Sequence, residues 1–162
     1  MLEIGVMVEF IDSPSPLRRK PAEATSESKT EPPSQTLSLK QSISIPGYTI
    51  ISKLGEGATA VVWLARQDSL DRQVAVKVLK QQHCADADEV ADFINEAKAV
   101  AKLKSRNVVQ IYDIGKHEGT IFFAMEYVDG QTLHRALQSG TPLDQKRALA
   151  IATAVAHALD DA

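Results

Sequence analysis

Three runs rich in β-branched residues follow one another between Tyr48 and Lys80: YTIISKL, AVVWLARQ and RQVAVKVLK. Only the glycine-bearing stretch Gly55–Thr59 and the polar turn DSLD separate them. Short β-branched runs bounded by turn formers read as strands. Connections this short join antiparallel neighbours, because a parallel pair needs a long crossover. After them, DEVADFINEAKAVAKL places Val90, Phe93, Ile94, Ala97 and Val100/Ala101 on one side of a helix. Two more strand-like runs, NVVQIYDIG and TIFFAMEYV, flank the polar turn KHEG. A short helix is expected from near Thr132 to Gly140. A longer one follows Asp144, a plausible N-cap, with Ala148, Ile151, Ala152, Val155 and Leu159 on one face. The fold class expected is α+β: a five-stranded antiparallel sheet, one packed helix from Glu89 to about Lys104, then two helices.

Composition changes abruptly upstream of Tyr48. Six of the seven prolines lie at or before Pro46, and no aromatic residue falls between Phe10 and Tyr48. A Pro/Ser/Thr/Glu-rich stretch of this kind buries too little apolar surface to offset its ordering entropy. Residues 1–46 are therefore expected to be disordered, a plain linker or a tail in which SPSPLRRK serves docking or phosphorylation. The net charge of −3 and a pI near 5.8 speak against a nucleic-acid partner. Cys84 is the only cysteine, which permits no internal disulfide and suits a reducing compartment. His83, His117, His134 and His157 lack ligand spacing, so no metal site is expected. MLEIGVMVEF makes a poor signal peptide, and no run approaches transmembrane length, so the expected location is cytoplasmic, with no membrane partner.

Gly55 and Gly57 stand one residue apart, with Ala60 where a third glycine would complete G-x-G-x-x-G. A dinucleotide-binding turn would open a helix here, but AVVWLA is strand-like. A Walker loop needs G-K-[ST], which is missing. Two readings remain at this point. One is an ordinary hairpin turn; the other is a glycine-rich flap whose backbone N–H groups close over phosphates. Lys77 favours the flap. In VAVKVL, alternation puts Val76 and Val78 on one face and Ala75 and Lys77 on the other. An ammonium in mid-strand needs an anion, since an unpaired charge away from water is costly. Glu96, beside the apolar stripe of the next helix, can supply it, although a solvated role is the commoner one for a helix glutamate.

Taken together, LGEGATAVV, VAVK, NEA, NVVQIYDIG and FFAMEYVDGQTL resemble, in order and spacing, the N-terminal lobe of bacterial eukaryotic-like (Hanks-type) protein serine/threonine kinases. The resemblance runs over residues 48–162. It implies a kinase-like N-lobe at residues 47–130 and the first helices of a C-lobe at residues 131–162. It further implies that Gly55, Glu56, Gly57, Ala58, Thr59 and Ala60 cover the ATP phosphates, and that Leu54 and Val62 close on the adenine from above. By the same resemblance Lys77 contacts the α- and β-phosphates and Glu96 holds it in place. Ala75 would pack on the ring, Met125 would guard the back of the pocket, and Glu126 and Val128 would offer backbone hydrogen bonds to the adenine edge. Thr132 would lie near the ribose. Ala60 departs from the third glycine, a modest departure.

The sequence ends at AHALDDA without the H-R-D and D-F-G motifs that carry the family's catalytic aspartate and magnesium ligands. The expectation is thus an ATP-binding portion of a kinase, truncated before the catalytic loop and inactive alone. Its partners would be ATP and a protein substrate or complementary kinase fragment, with self-association possible through residues 144–160. Mg²⁺ is expected in the full-length family but has no ligands here. The alternatives are a non-catalytic kinase-like regulatory module, or the functionless product of a decaying gene.

Overall fold

The computed structural model describes residues 43–138, 140 and 142–162. The three leading runs form β1 (Tyr48–Glu56), β2 (Ala60–Gln67) and β3 (Arg72–Leu79). A single 3-10 turn at Gln81–His83 leads into α1 (Ala87–Ala101). Then come β4 (Ile111–His117), β5 (Thr120–Glu126), α2 (Leu133–Gln138) and α3 (Gln145–Asp160). The strand order is β1-β2-β3-β5-β4, with every neighbouring pair antiparallel. The expected five-stranded antiparallel sheet with one packed helix and two further helices is what the described residues form.

Local chemistry explains the hairpins. β4 and β5 are joined by a two-residue turn in which Glu118 and Gly119 both have positive φ, 47° and 80°. That is the turn whose twist matches flanking antiparallel strands. β3 lies at the centre of the sheet, and strand alternation splits its side chains between two apolar layers. On one face Val74, Val76 and Val78 pack with Ala65, Phe122, Ala124 and Tyr48. On the other, Leu79 joins Phe93 and Ala97 of α1 together with Ile121 and Phe123 of β5.

The two edge strands meet across the first layer. The Tyr48 hydroxyl of β1 donates to Asp113 Oδ2 of β4 at 3.0 Å, and its ring stands edge-on to Phe122 with centroids 5.9 Å apart. The sheet is therefore curled, a shape that a right-handed twist encourages. Burial, followed by the hydrogen bond to Asp113, pushes the Tyr48 hydroxyl up to about 12. Gly115 of β4 pairs with Phe122, and a Cβ at Gly115 would lie 2.6 Å from the ring's Cζ. Glycine is needed there for close approach of backbone to ring.

Three boundaries move from their expected places. Ile45 is buried in the first layer and Ile43 packs against it, so the packed body begins upstream of the expected limit at residue 46. The remainder of the expected tail lies outside the described residues. Helix α1 starts at Ala87 because Asp86 caps it, accepting from the N–H groups of Asp88 and Glu89, and it stops at Ala101. In α3 the side turned inward carries Ile151 and Ala158, with Ala158 against Val100 and Val108. Of the residues expected on one face of α3, Ala148, Ala152 and Leu159 are exposed, Val155 is half-buried and Ile151 is buried. Among the described residues no helix is long and apolar enough to cross a membrane.

Two outcomes are expected. Gly115→Ala should lower the unfolding free energy by about 1–3 kcal/mol, the usual range for overpacking, measured by urea denaturation. Tyr48→Phe should cost about 1 kcal/mol at neutral pH, since Asp113 remains solvated and only one hydrogen bond is lost. Because folding raises the Tyr48 pKa from 10.0 to about 12, its contribution is complete below pH 10 and disappears as pH rises through 12. The stability gap between parent and Tyr48→Phe should narrow across that window.

Candidate functional site

Lys77 comes from the middle of β3, and its strand neighbours define its surroundings. Val62 of β2 stands opposite on one side and Phe123 of β5 on the other. The ammonium lies 5.5 Å from the Phe123 ring centroid and 5.8 Å from that of Phe93 on α1. Two aromatic faces offer a cation some attraction but cannot replace lost water. Glu96 supplies the missing anion, with Lys77 Nζ 2.7 Å from Glu96 Oε1. The Lys77 and Glu96 side chains keep only 19% and 23% of their exposure. Glu96 reaches the sheet because Phe93 and Ala97 bury the adjoining side of α1.

The wall beside this pair is built from the same face of the sheet. Ala75 lies two residues before Lys77, is buried, and pairs with Leu64 of β2 and Met125 of β5. Met125 pairs in turn with Ile111 at the start of β4. Val62, Ala75, Lys77 and Met125 thus line one continuous strip. Glu126 closes β5, and its N–H is already committed to the Gln110 carbonyl at 2.8 Å. Val128 follows, half-buried, beyond the strand's end. Thr132 stands further along, where its hydroxyl oxygen accepts from the Arg135 N–H at 3.2 Å and starts α2. That engagement leaves it a helix cap first.

Above the strip, β1 and β2 join through Gly57–Thr59, with the Gly57 N–H donating to the Ala60 carbonyl at 2.9 Å. Leu54 to Thr59 are all exposed, while Ala60 is buried against Leu79 and Phe93. Burial at Ala60 accounts for the methyl group where a third glycine would stand. Gly55 pairs with Val62, and a Cβ there would meet nothing within 4 Å. The chain's own packing does not require glycine at that position, and the space beside it is open.

Several neighbours escaped the sequence reading. Lys53 and Lys80 both engage Glu56, Lys80 Nζ at 2.7 Å from Glu56 Oε1 and Lys53 at the other oxygen. Hydrogen bonds from Lys53 and then Lys80 hold the Glu56 carboxyl down to about 2. His83 Nδ1 lies 2.5 Å from Glu89 Oε2, fastening the 3-10 turn to the first turn of α1. Asp86 with Glu89 three residues on is a helix-start signal that the sequence did contain.

The geometry has known counterparts. The family model described as protein kinase domain matches residues 48–161. Serine/threonine-protein kinase pkn3 of Myxococcus xanthus is 42% identical over 116 residues, covering 71% of this chain and 21% of that protein. Serine/threonine-protein kinase PrkC of Bacillus subtilis is 37% identical over 115 residues, covering 68% of this chain and 18% of its own. The crystal structure of the Mycobacterium tuberculosis PknI kinase domain superposes with a TM-score of 0.61 at 32% identity, covering 74% of this chain and 49% of that one. The chain thus spans about a fifth of the length of these curated relatives.

Removing Glu96 alone would leave an ammonium facing two phenyl rings. Glu96→Ala should therefore cost about 1–2 kcal/mol of stability, less than a fully buried pair because both side chains keep some solvent. Pairing Lys77→Met with Glu96→Leu should recover most of that loss in chemical denaturation. Strictly additive losses would show that the two groups are not coupled.

Proposed function

Because this chain belongs to the protein kinase family, at the N-lobe and the start of the C-lobe, we propose that it is the ATP-binding portion of a protein serine/threonine kinase. One observation carries the reading: a Lys77–Glu96 pair at 2.7 Å, on a half-buried strip beneath a flap whose Gly55 has open space where a side chain would be. In this reading ATP lies between the flap and the strip. Lys77 spends one of its three N–H donors on Glu96, which orients the ammonium toward the α- and β-phosphates. Backbone N–H groups of Gly55–Ala60 close over the same phosphates. Leu54, Val62 and Ala75 sandwich the adenine, and Met125 sets the depth of the pocket. With the Glu126 N–H used by Gln110, the Glu126 carbonyl and the Val128 backbone are the groups left for the adenine edge.

Holding phosphates is not transferring them. Transfer in this family needs an aspartate to accept the substrate hydroxyl proton and side chains to hold magnesium. Residues 48–162 contain neither the H-R-D nor the D-F-G motif whose side chains do this in the family. The role we assign to residues 48–162 is therefore binding and orientation, with the catalytic aspartate, the metal ligands and the protein-substrate platform supplied by further kinase sequence. The exposed side of α3, with Leu149 and Leu159 at 66% and 67% exposure, is the surface proposed to seat that sequence, and a second copy would compete for it. A reducing, cytoplasmic setting agrees with the free thiol of Cys84. The non-catalytic regulatory module remains the second reading, since the same ATP-holding strip would serve it.

Calorimetric titration of the 162-residue chain with ATP should show binding that Lys77→Ala weakens about tenfold or more. Incubation with a generic serine peptide and MgATP should give no phosphopeptide. Equal affinity of parent and variant would remove the phosphate role of Lys77. Phosphopeptide formation would refute the binding-only assignment.

A further inference from the structure

Apart from Ala60 at its foot, the flap has no apolar anchor, because every residue from Leu54 to Thr59 is exposed. A segment with so few buried contacts opens at low cost unless polar contacts hold it. Such contacts converge on Lys80, the residue after β3. Its N–H donates to the Thr59 carbonyl at 2.9 Å, and its ammonium lies 2.7 Å from Glu56 Oε1. Lys53 binds the other oxygen of the same carboxylate. In a regular strand residues three apart point to opposite faces. Here the register shifts between Lys53 and Gly55, and this bulge brings the Lys53 side chain round to Glu56. The Lys80 carbonyl, in turn, accepts from the His83 N–H at 2.9 Å in the turn that leads to α1. One residue thus ties the flap to the approach of the helix that carries Glu96.

We propose that Glu56, Lys80 and Lys53 form an ion-pair latch that holds the glycine flap at a set height over the phosphate site, making Lys80 a positioning residue for the nucleotide. This rests on the ATP-binding reading above. Exposed ion pairs have small effects singly, so the latch sets flap position and does not hold the fold together. Its removal should weaken ATP binding by about threefold, the size that a well-placed exposed pair commands.

The test uses the whole 162-residue chain in four forms: parent, Glu56→Gln, Lys80→Met, and the full charge swap Lys53→Glu, Glu56→Lys and Lys80→Glu. ATP affinity and amide hydrogen exchange at Gly57 and Lys80 are measured for each. Both single variants should bind ATP about threefold more weakly and exchange both amides faster, with thermal midpoints close to the parent's. The swap should return both readouts toward parent values. Unchanged exchange in both single variants, or a swap no better than either, overturns the latch. If the parent itself fails to bind ATP, the ATP-binding reading falls, and exchange alone then decides: faster exchange in the single variants upholds the latch and unchanged exchange overturns it.

Discussion

An ammonium in the central strand of a sheet creates a debt that the rest of the site is arranged to meet. Lys77 sits in β3 between Phe93 and Phe123, where water reaches only part of it. The Coulombic attraction to Glu96 becomes stronger in these surroundings than it would be in water, and so does the penalty for losing it. Glu96 can meet Lys77 only if α1 lies against this face at one rotation. Phe93, Ala97 and Val100 enforce that rotation by packing. The ion pair and the apolar stripe of α1 therefore specify the same docking, one by charge and the other by shape.

The curled sheet makes that docking possible. Tyr48 and Asp113 join the two edge strands across one apolar layer, which leaves the opposite face for α1 and the strip of Val62, Ala75, Lys77 and Met125. Gly115 admits the Phe122 ring close to the backbone of β4, and the ring in turn supports Tyr48. Residues far from the glycine flap thus support the face on which Lys77 and Ala75 emerge. The flap itself follows a different rule. It is built from backbone and surface charge, with Ala60 as its one buried foot. A rigid strip under an adjustable cover suits a ligand that must enter and leave.

Strands were legible in the sequence because alternation of small, β-branched and polar residues has a period of two that short turns do not disturb. The opposition of Val76 and Val78 to Ala75 and Lys77 could be read directly, and with it the need for an anion on a following helix. The Lys53–Glu56–Lys80 network could not be read, since it depends on a bulge at Leu54 that reverses the alternation locally. In helix α3 the inward contact could not be read for another reason. Its alanines occupy nearly every side, so the apolar periodicity does not single out the face, and contact with Val100 and Val108 selects Ala158. The start of α1 was legible in the Asp86–Glu89 spacing but was outweighed by the apolar stripe that begins at Val90.

The central claim is that Lys77 faces the phosphates of bound ATP. An acyl-phosphate derivative of ATP transfers its acyl group to whichever amine lies against the phosphate chain, and peptide mass spectrometry then identifies that amine. The account predicts acylation of Lys77 that excess ATP suppresses, well above the labelling of distant surface lysines such as Lys98 and Lys146. Labelling spread evenly over surface lysines, with Lys77 untouched and ATP without effect, would contradict it.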